Sequence, residues 1–150
     1  MSYNYFNIKL PYTEFYYFIK KNDQDFIPPL LNRINVEEFY NKIDSLANSV
    51  GCYYNNQLIG LCIFYANNYE TNKAYITYLA IDKSFRGRNI AGEILKIVFT
   101  NAKEAGMNTV GIHTNNIIAK ECYIKNGFIL KDSFFEEKYN VVRYYLEKVL

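Results

Sequence analysis

The sequence has little of what metal sites and disulfide frameworks require. Among 150 residues there are three cysteines, Cys52, Cys62 and Cys122, with no CxxC pair, and His113 is the only histidine. An odd number of scattered cysteines does not form a disulfide framework. One histidine would leave a zinc site with an unusual ligand set. We therefore expect no metal, and reduced thiols as in the cytoplasm.

Long hydrophobic runs and an excess of one charge are also missing. No segment reaches the ~18 apolar residues of a membrane span, and the first ten residues lack the basic-then-apolar pattern of a secretory leader. The net charge is +2, too small for a general attraction to nucleic acid or to an anionic membrane. We expect a cytoplasmic protein with neither a membrane nor a nucleic acid as its partner.

What the sequence does contain is apolar and aromatic surface. Half of the residues are hydrophobic, including 16 tyrosines and 11 phenylalanines. A chain of this length favours one domain, here residues 1–150, with a sizeable buried core.

Apolar periodicity predicts an α/β fold. Helical spacing follows Pro28-Pro29 over 36–50, with Gly51 as the stop, and a shorter helix capped by Thr13 precedes it. Strand patterns and two further helices follow in the order αα-βββ-α-β-α-ββ. The predicted segments after the first two helices are 52–54, 58–66, 74–82, the helix 90–106, 108–114, the helix 116–127, 128–136 and 141–149. The passage from 74 to 114 is long enough for a parallel crossover, so we expect a mixed sheet with helices on both faces.

The turn SFRGRNIAGE lies between a predicted strand and a predicted helix. The first NH groups of a helix lack intrahelical partners and carry partial positive charge, so such a turn favours anions. Gly87 permits close backbone approach, while Arg86 and Arg88 add donors suited to phosphate. The alternative is a tight turn with solvated arginines. A Walker A lysine and a third glycine for a dinucleotide motif are both missing.

A second segment, NIIAKECYIKNGF, favours the anion site over a purely structural turn. Together with the turn it resembles the GNAT family of N-acetyltransferases, whose signatures are Arg/Gln-x-x-Gly-x-Gly/Ala and Asn-x-x-Ala-x-x-x-Tyr-x-x-x-Gly-Phe. The second signature is complete from Asn116 to Phe128. The first is present as Arg86, Asn89 and Ala91, with Asn89 where the family usually has glycine. Asparagine tolerates a positive φ, so the loop shape can survive, and it is also a good helix cap.

The resemblance implies a GNAT fold and acetyl-CoA as the cosubstrate. Its pyrophosphate would lie on the turn and its pantetheine arm between two splayed parallel strands, 77–81 and 110–114. A backbone NH near Leu79 or Ala80 would stabilise the oxyanion. The residues implied in cofactor binding are Leu79, Ala80, Ile81, Arg86, Gly87, Arg88, Asn89, Ile90, Ala91, Gly92, Asn116 and Ala119.

The resemblance also implies that Tyr123 protonates the departing thiolate, since a phenol with a pKa near 10 can serve a thiol that titrates near 8.5. No carboxylate stands out as general base. His113, Glu70 and a water chain are all open, and Asp82 is expected to be structural.

The function expected from this resemblance is acetyl transfer to the primary amine of a small molecule. Tyr65, Asn67 and Asn68 offer an aromatic surface beside amides, which suits a sugar. The pattern FYANN before the central strand also resembles acetyltransferases encoded with surface-polysaccharide genes, which implies an amino-sugar nucleotide as the acceptor. The alternatives are a protein or peptide N-acetyltransferase and a module that binds CoA without turnover. Nucleic-acid binding through the two arginines is disfavoured. The chain can be a monomer or a homodimer, because its last apolar strand could pair between subunits.

Overall fold

The computed structural model describes residues 2–150, which form seven strands and four α-helices. In chain order these are β1 (Asn4–Ile8), α1 (Tyr12–Asn22), α2 (Val36–Leu46), β2 (Asn48–Tyr54), β3 (Gln57–Tyr65), β4 (Lys73–Ile81), α3 (Ile90–Glu104), β5 (Thr109–Thr114), α4 (Ile117–Lys125), β6 (Ile129–Glu136) and β7 (Val141–Val149). Short 3₁₀ turns lie between several of them.

All seven strands belong to one sheet, in the order β1-β2-β3-β4-β5-β7-β6. Only β4 and β5 are parallel, and every other neighbouring pair is antiparallel. The expected mixed sheet and the predicted order of the later elements are confirmed.

Helices cover both faces of the sheet, as expected, and divide the core in two. On one face the buried side chains of α3, including Ile94, Leu95 and Val98, pack with Phe64, Ile76 and Ile112 of the sheet. On the other face Phe15, Phe18 and Ile19 of α1 pack with Ile63 and Tyr78. We call these the α3 face and the α1 face.

Three local predictions are wrong. The strand β1 was not predicted, because NYFNI is short, has two asparagines and lacks a clean alternation. The helix α2 ends at Leu46 rather than at Val50, because Asn48–Tyr54 pairs with both β1 and β3. Gly51 is therefore a buried strand residue and not a helix stop. A Cβ there would come within 2.6 Å of the Ile8 side chain, so glycine lets β1 pack closely.

The caps follow the predictions in part. Asn116 caps α4 as expected, since its Oδ1 accepts from the Ala119 NH at 3.1 Å. Pro11 occupies the N-cap position of α1, so Thr13 lies inside the first turn and is not the cap. The predicted stop at Gly106 is confirmed, with φ at +92° just beyond α3.

None of the helices within residues 2–150 is long and apolar enough to cross a membrane.

Candidate active site

The parallel strands β4 and β5 separate halfway along their length. Their pairing runs from Lys73 opposite Thr109 to Ile76 opposite Ile112 and then stops. Beyond that point β4 stays paired with β3 as far as Ile81, and β5 stays paired with β7 as far as Thr114. The edge of β4 that faces β5 therefore has no strand partner over 77–81 within the described chain. Its backbone groups need other partners, as the expected pantetheine site requires.

A β-bulge marks the place where the strands part. Ile76 lies opposite Phe64 and Tyr78 lies opposite Ile63, which leaves Thr77 without an opposite residue on β3. A bulge inserts one residue and re-aims the side chains that follow it. Here Ile76 belongs to the α3 face, whereas Tyr78 and Ala80 belong to the α1 face. Leu79 and Ile81 consequently pack toward the α3 face beside the opening.

The turn after β4 has the backbone shape that the sequence predicted. Gly87 has φ at +77°, and nothing lies within 4 Å of the position a Cβ would take, so this side of the turn is open. Asn89 has φ at +60° and holds the left-handed conformation expected of it. Its side chain makes no capping hydrogen bond, so the expected cap is wrong. Instead its Oδ1 lies against Gly92, where a Cβ would collide with it.

The two arginines of the turn are engaged within the protein. Arg86 donates from Nε to the Ile81 carbonyl at 3.0 Å and forms an ion pair with Asp25. Arg88 donates to the Tyr3 hydroxyl at 3.1 Å and lies over the Phe85 ring. Arg86 thus ties the turn to β4 and to the connection between α1 and α2. Contact of either arginine with phosphate stays a prediction.

Asp82 has the structural role that was expected. Its carboxylate is buried at the end of β4 and accepts from Lys21 of α1 at 2.6 Å. This ion pair fixes α1 against the start of the turn.

Tyr123 is buried, and its burial raises the pKa of its hydroxyl. Its side chain is 6% exposed and its ring lies 5.7 Å from that of Phe128 in the α3-face core. Desolvation, with smaller contributions from Cys122 and Cys62, raises its pKa far above the usual value. A phenol with a raised pKa is a weaker acid than the one the sequence suggested. The catalytic role of Tyr123 stays a prediction.

His113 lies beside the opening, on the α1 face. Its Nδ1 is 2.7 Å from the Tyr75 hydroxyl, and its ring centroid is 4.7 Å from that of Tyr145. Burial and the neighbouring Arg143 lower its pKa, against an opposing effect of Asp132. A neutral imidazole can accept a proton, so the position is compatible with His113 as one of the candidate bases.

Tyr65, Tyr75, His113 and Tyr145 form a row across four strands, which we call the aromatic strip. Tyr65 lies opposite Tyr75, and His113 lies opposite Tyr145. All four are half-buried, whereas the α3 face behind them is filled by core residues such as Ile76 and Ile112. The aromatic strip is therefore the more accessible side of the sheet beside the opening.

The structure does not bring Glu70 to this place. Glu70 is exposed in the turn before β4, and the strand from Lys73 to Thr77, where the opening begins, spans about 13 Å. Asn68 in the same loop stabilises the turn, since its Oδ1 accepts from the Thr71 NH at 3.3 Å. Of the predicted acceptor surface, only Tyr65 lies on the aromatic strip.

Sequence reasoning missed Tyr75, Tyr78, Arg143 and Tyr145. The i, i+2 spacing of Arg143 and Tyr145 places them on one strand face. Which neighbours that face meets depends on the register with β5.

A cleft beside β1, lined by Asn7, Ser49 and Asn101, lies near the other edge of the sheet and contains none of these residues. In residues 2–150 no cluster of side chains is suited to hold a metal ion.

Comparison with known proteins agrees with this geometry. The model of the acetyltransferase (GNAT) family matches residues 12–128, and the chain belongs to this family. It is an acyltransferase by class. No curated protein matches the chain by sequence at a significant level.

Solved structures share the fold. The NatC complex bound to Gag peptide and CoA contains a chain with 20% identity and a TM-score of 0.82, over 100% of this chain and 99% of that one. The ribosomal-protein-S18-alanine N-acetyltransferase of Escherichia coli has 11% identity and a TM-score of 0.79, over 99% and 94%. A predicted streptothricin acetyltransferase of Bacillus anthracis in complex with acetyl-CoA has 24% identity and a TM-score of 0.64. That match covers 70% of this chain, which spans only 64% of the Bacillus anthracis chain.

Proposed function

We propose that the protein transfers the acetyl group of acetyl-CoA directly to the primary amine of a small molecule. The observation that carries this proposal is the opening between β4 and β5, which begins at the bulge at Thr77 and leads to the turn before α3. In a member of the GNAT family, the unpaired edge of the opening binds the pantetheine arm of acetyl-CoA, and the turn binds its pyrophosphate.

The residues of the opening fit the cosubstrate. The unpaired edge of β4 offers backbone donors and acceptors to the amides of the pantetheine arm. Leu79 and Ile81 provide apolar walls beside it. The first NH groups of α3, from Ile90 to Gly92, present partial positive charge to an anion, and the open side of Gly87 leaves room for it. Asn116 and Ala119 begin the helix on the far side of the opening.

Acetyl-CoA supplies an activated acyl group, and the chain supplies position, polarity and proton transfer. A backbone NH near Leu79 or Ala80 stabilises the oxyanion. His113 or a water chain accepts the proton of the amine. Tyr123 donates to the departing thiolate. Because its pKa is raised, we assign more of the acceleration to holding the amine against the thioester.

The acceptor approaches over the aromatic strip. Rings beside a histidine suit a sugar, so a nucleotide-linked amino sugar is the first acceptor to test. A free peptide N-terminus is the alternative, and both belong in the same assay.

The test has two parts. CoA at about 100 times its dissociation constant stabilises the folded state by about 2.7 kcal/mol, which corresponds to about 5–10 °C in Tm for a chain of this size. Thiol release from acetyl-CoA is then measured with sugar amines, diamines and peptides. A Tm shift without amine-dependent thiol release would identify a binding module, and no Tm shift would contradict the cosubstrate site.

A further inference from the structure

Arg143 lies just past the end of β5, on the same face as the aromatic strip. The last pair of β5 with β7 is Thr114 opposite Tyr144, so the next residue toward the start of β7 has no neighbour on β5. Side chains two residues apart on a strand share a face. Arg143 therefore lies on the α1 face next to Tyr145, at the mouth of the opening.

The guanidinium of Arg143 forms no ion pair within the described chain. The residue is half-buried, and it takes part in none of the five ion pairs among residues 2–150. The nearest carboxylate on its own strand face, Glu147, is already held by the Tyr145 hydroxyl at 2.7 Å and by Lys73 at 3.0 Å. Two carboxylates of β6 lie nearby, and neither forms an ion pair with Arg143: Asp132, opposite Tyr145, accepts from the Ser133 NH, and Glu136 lies opposite Val141. An arginine that is partly desolvated and makes no direct ion pair favours an anionic ligand.

Arg33 adds a second positive charge from another element. It follows a 3₁₀ turn in the connection between α1 and α2. This connection is fixed against the end of β5, because Asn115 donates to the Ile27 carbonyl at 2.6 Å. The charges of Arg33 and Arg143 both act on the Tyr75 hydroxyl, against the burial that raises its pKa. Arg33 itself is exposed, so Arg143 is the half-buried cation beside the aromatic strip.

We infer that the acceptor amine carries an anionic group, a carboxylate or a phosphate, which binds Arg143 at the mouth of the opening. This inference rests on the proposed function and names the class of its acceptor. The bidentate geometry of arginine suits both kinds of anion. The amine of the same molecule would then extend over His113 toward Thr77.

Matched acceptors test the inference and separate the two anions. Glucosamine is compared with glucosamine 6-phosphate, and tyramine with tyrosine. We expect one anionic member to exceed its neutral partner in kcat/KM. We also expect Arg143→Gln to lower that value about 10–100-fold through KM, as loss of a charge-assisted contact implies. The neutral member should change little, and Arg143→Lys should retain part of the preference. Lys9→Gln, at an exposed cation near the other edge of the sheet, is the matched control.

A second readout does not depend on turnover. His113 is the only histidine, so its ring signals in the NMR spectrum report on this place alone. Inorganic phosphate or acetate is added at constant ionic strength. We expect one of them to raise the pKa of His113, because it screens Arg143, and we expect Arg143→Gln to raise it without added anion and to abolish the response.

The outcomes are distinguishable. No response of His113 to either anion in the wild-type protein, or equal loss of kcat/KM for both members of a pair in Arg143→Gln, would overturn the inference. A response of His113 together with no amine-dependent thiol release would instead count against the proposed acetyl transfer.

Discussion

The buried hydroxyl of Tyr78 provides a sharp test of the packing around the opening. Tyr78 is 4% exposed, and its ring lies between those of Phe18 at 6.4 Å and Phe26 at 5.4 Å. Its hydroxyl has no hydrogen-bond partner among residues 2–150. Desolvation, together with the nearby carboxylates of Asp23 and Asp25, raises its pKa far above the usual value.

We predict that Tyr78→Phe stabilises the free protein. An unsatisfied buried polar group costs about 1–3 kcal/mol, and phenylalanine fills the same space. Taking about 1–2 kcal/mol, and about 2–4 °C per kcal/mol for this size, Tm should rise by about 2–8 °C. The measurement is thermal and urea unfolding of both proteins, with an unchanged urea m-value.

Tyr53→Phe is the matched control. The Tyr53 hydroxyl donates to the Glu14 carboxylate at 2.9 Å, so its removal should destabilise the protein by about 0.5–1.5 kcal/mol. If Tyr78→Phe lowers the stability as Tyr53→Phe does, the Tyr78 hydroxyl has a partner and this reasoning is refuted. If Tyr78→Phe raises the stability but lowers acetyl transfer, the hydroxyl contacts the acceptor or the thioester.

Three further predictions concern the turn, α4 and β7. Asn89→Ala should lower the stability by about 1–2 kcal/mol, because alanine disfavours the left-handed conformation, whereas Asn89→Gly should not, as urea unfolding can show; equal losses would contradict the role of φ. Tyr123→Phe should lower the acetyl-transfer rate about 10²-fold with an unchanged acetyl-CoA dissociation constant, and a wild-type rate would leave Tyr123 as a packing residue. The hydrogen bond from Tyr145 and the ion pair with Lys73 hold the pKa of Glu147 below its usual value despite burial; its contribution to stability is thus present above the unfolded-state pKa and is lost as pH falls through the folded one. Glu147→Gln should therefore flatten the loss of stability at acid pH, and an unchanged pH profile would contradict this.

The elements that carry the proposed cosubstrate site could be predicted from the sequence because their signals are local. The positive φ at Asn89, the cap at Asn116 and the strand before Asp82 each depend on a few neighbouring residues. The bulge at Thr77 could not be predicted, since it depends on which residue of β3 lies opposite each residue of β4.

The acceptor side depends on long-range register and was largely missed. Tyr65, Asn67 and Asn68 were grouped because they are close in sequence, yet only Tyr65 lies across from Tyr75. The ion pair of Arg86 with Asp25, 61 residues away, could not be predicted from any local pattern. The pairing of His113 with Tyr145, which brings Arg143 to the opening, connects elements that no short pattern links.

The central claim is that acetyl-CoA binds in the opening between β4 and β5, and backbone hydrogen exchange tests it most directly. Saturating CoA should protect the amides of 77–81 on β4 and those of 87–92 at the turn and the start of α3, because both gain partners from the ligand. The cleft beside β1, around Asn7 and Ser49, should exchange as in the free protein. Protection at that cleft, or none along 77–81 at a CoA concentration that shifts Tm, would contradict the account.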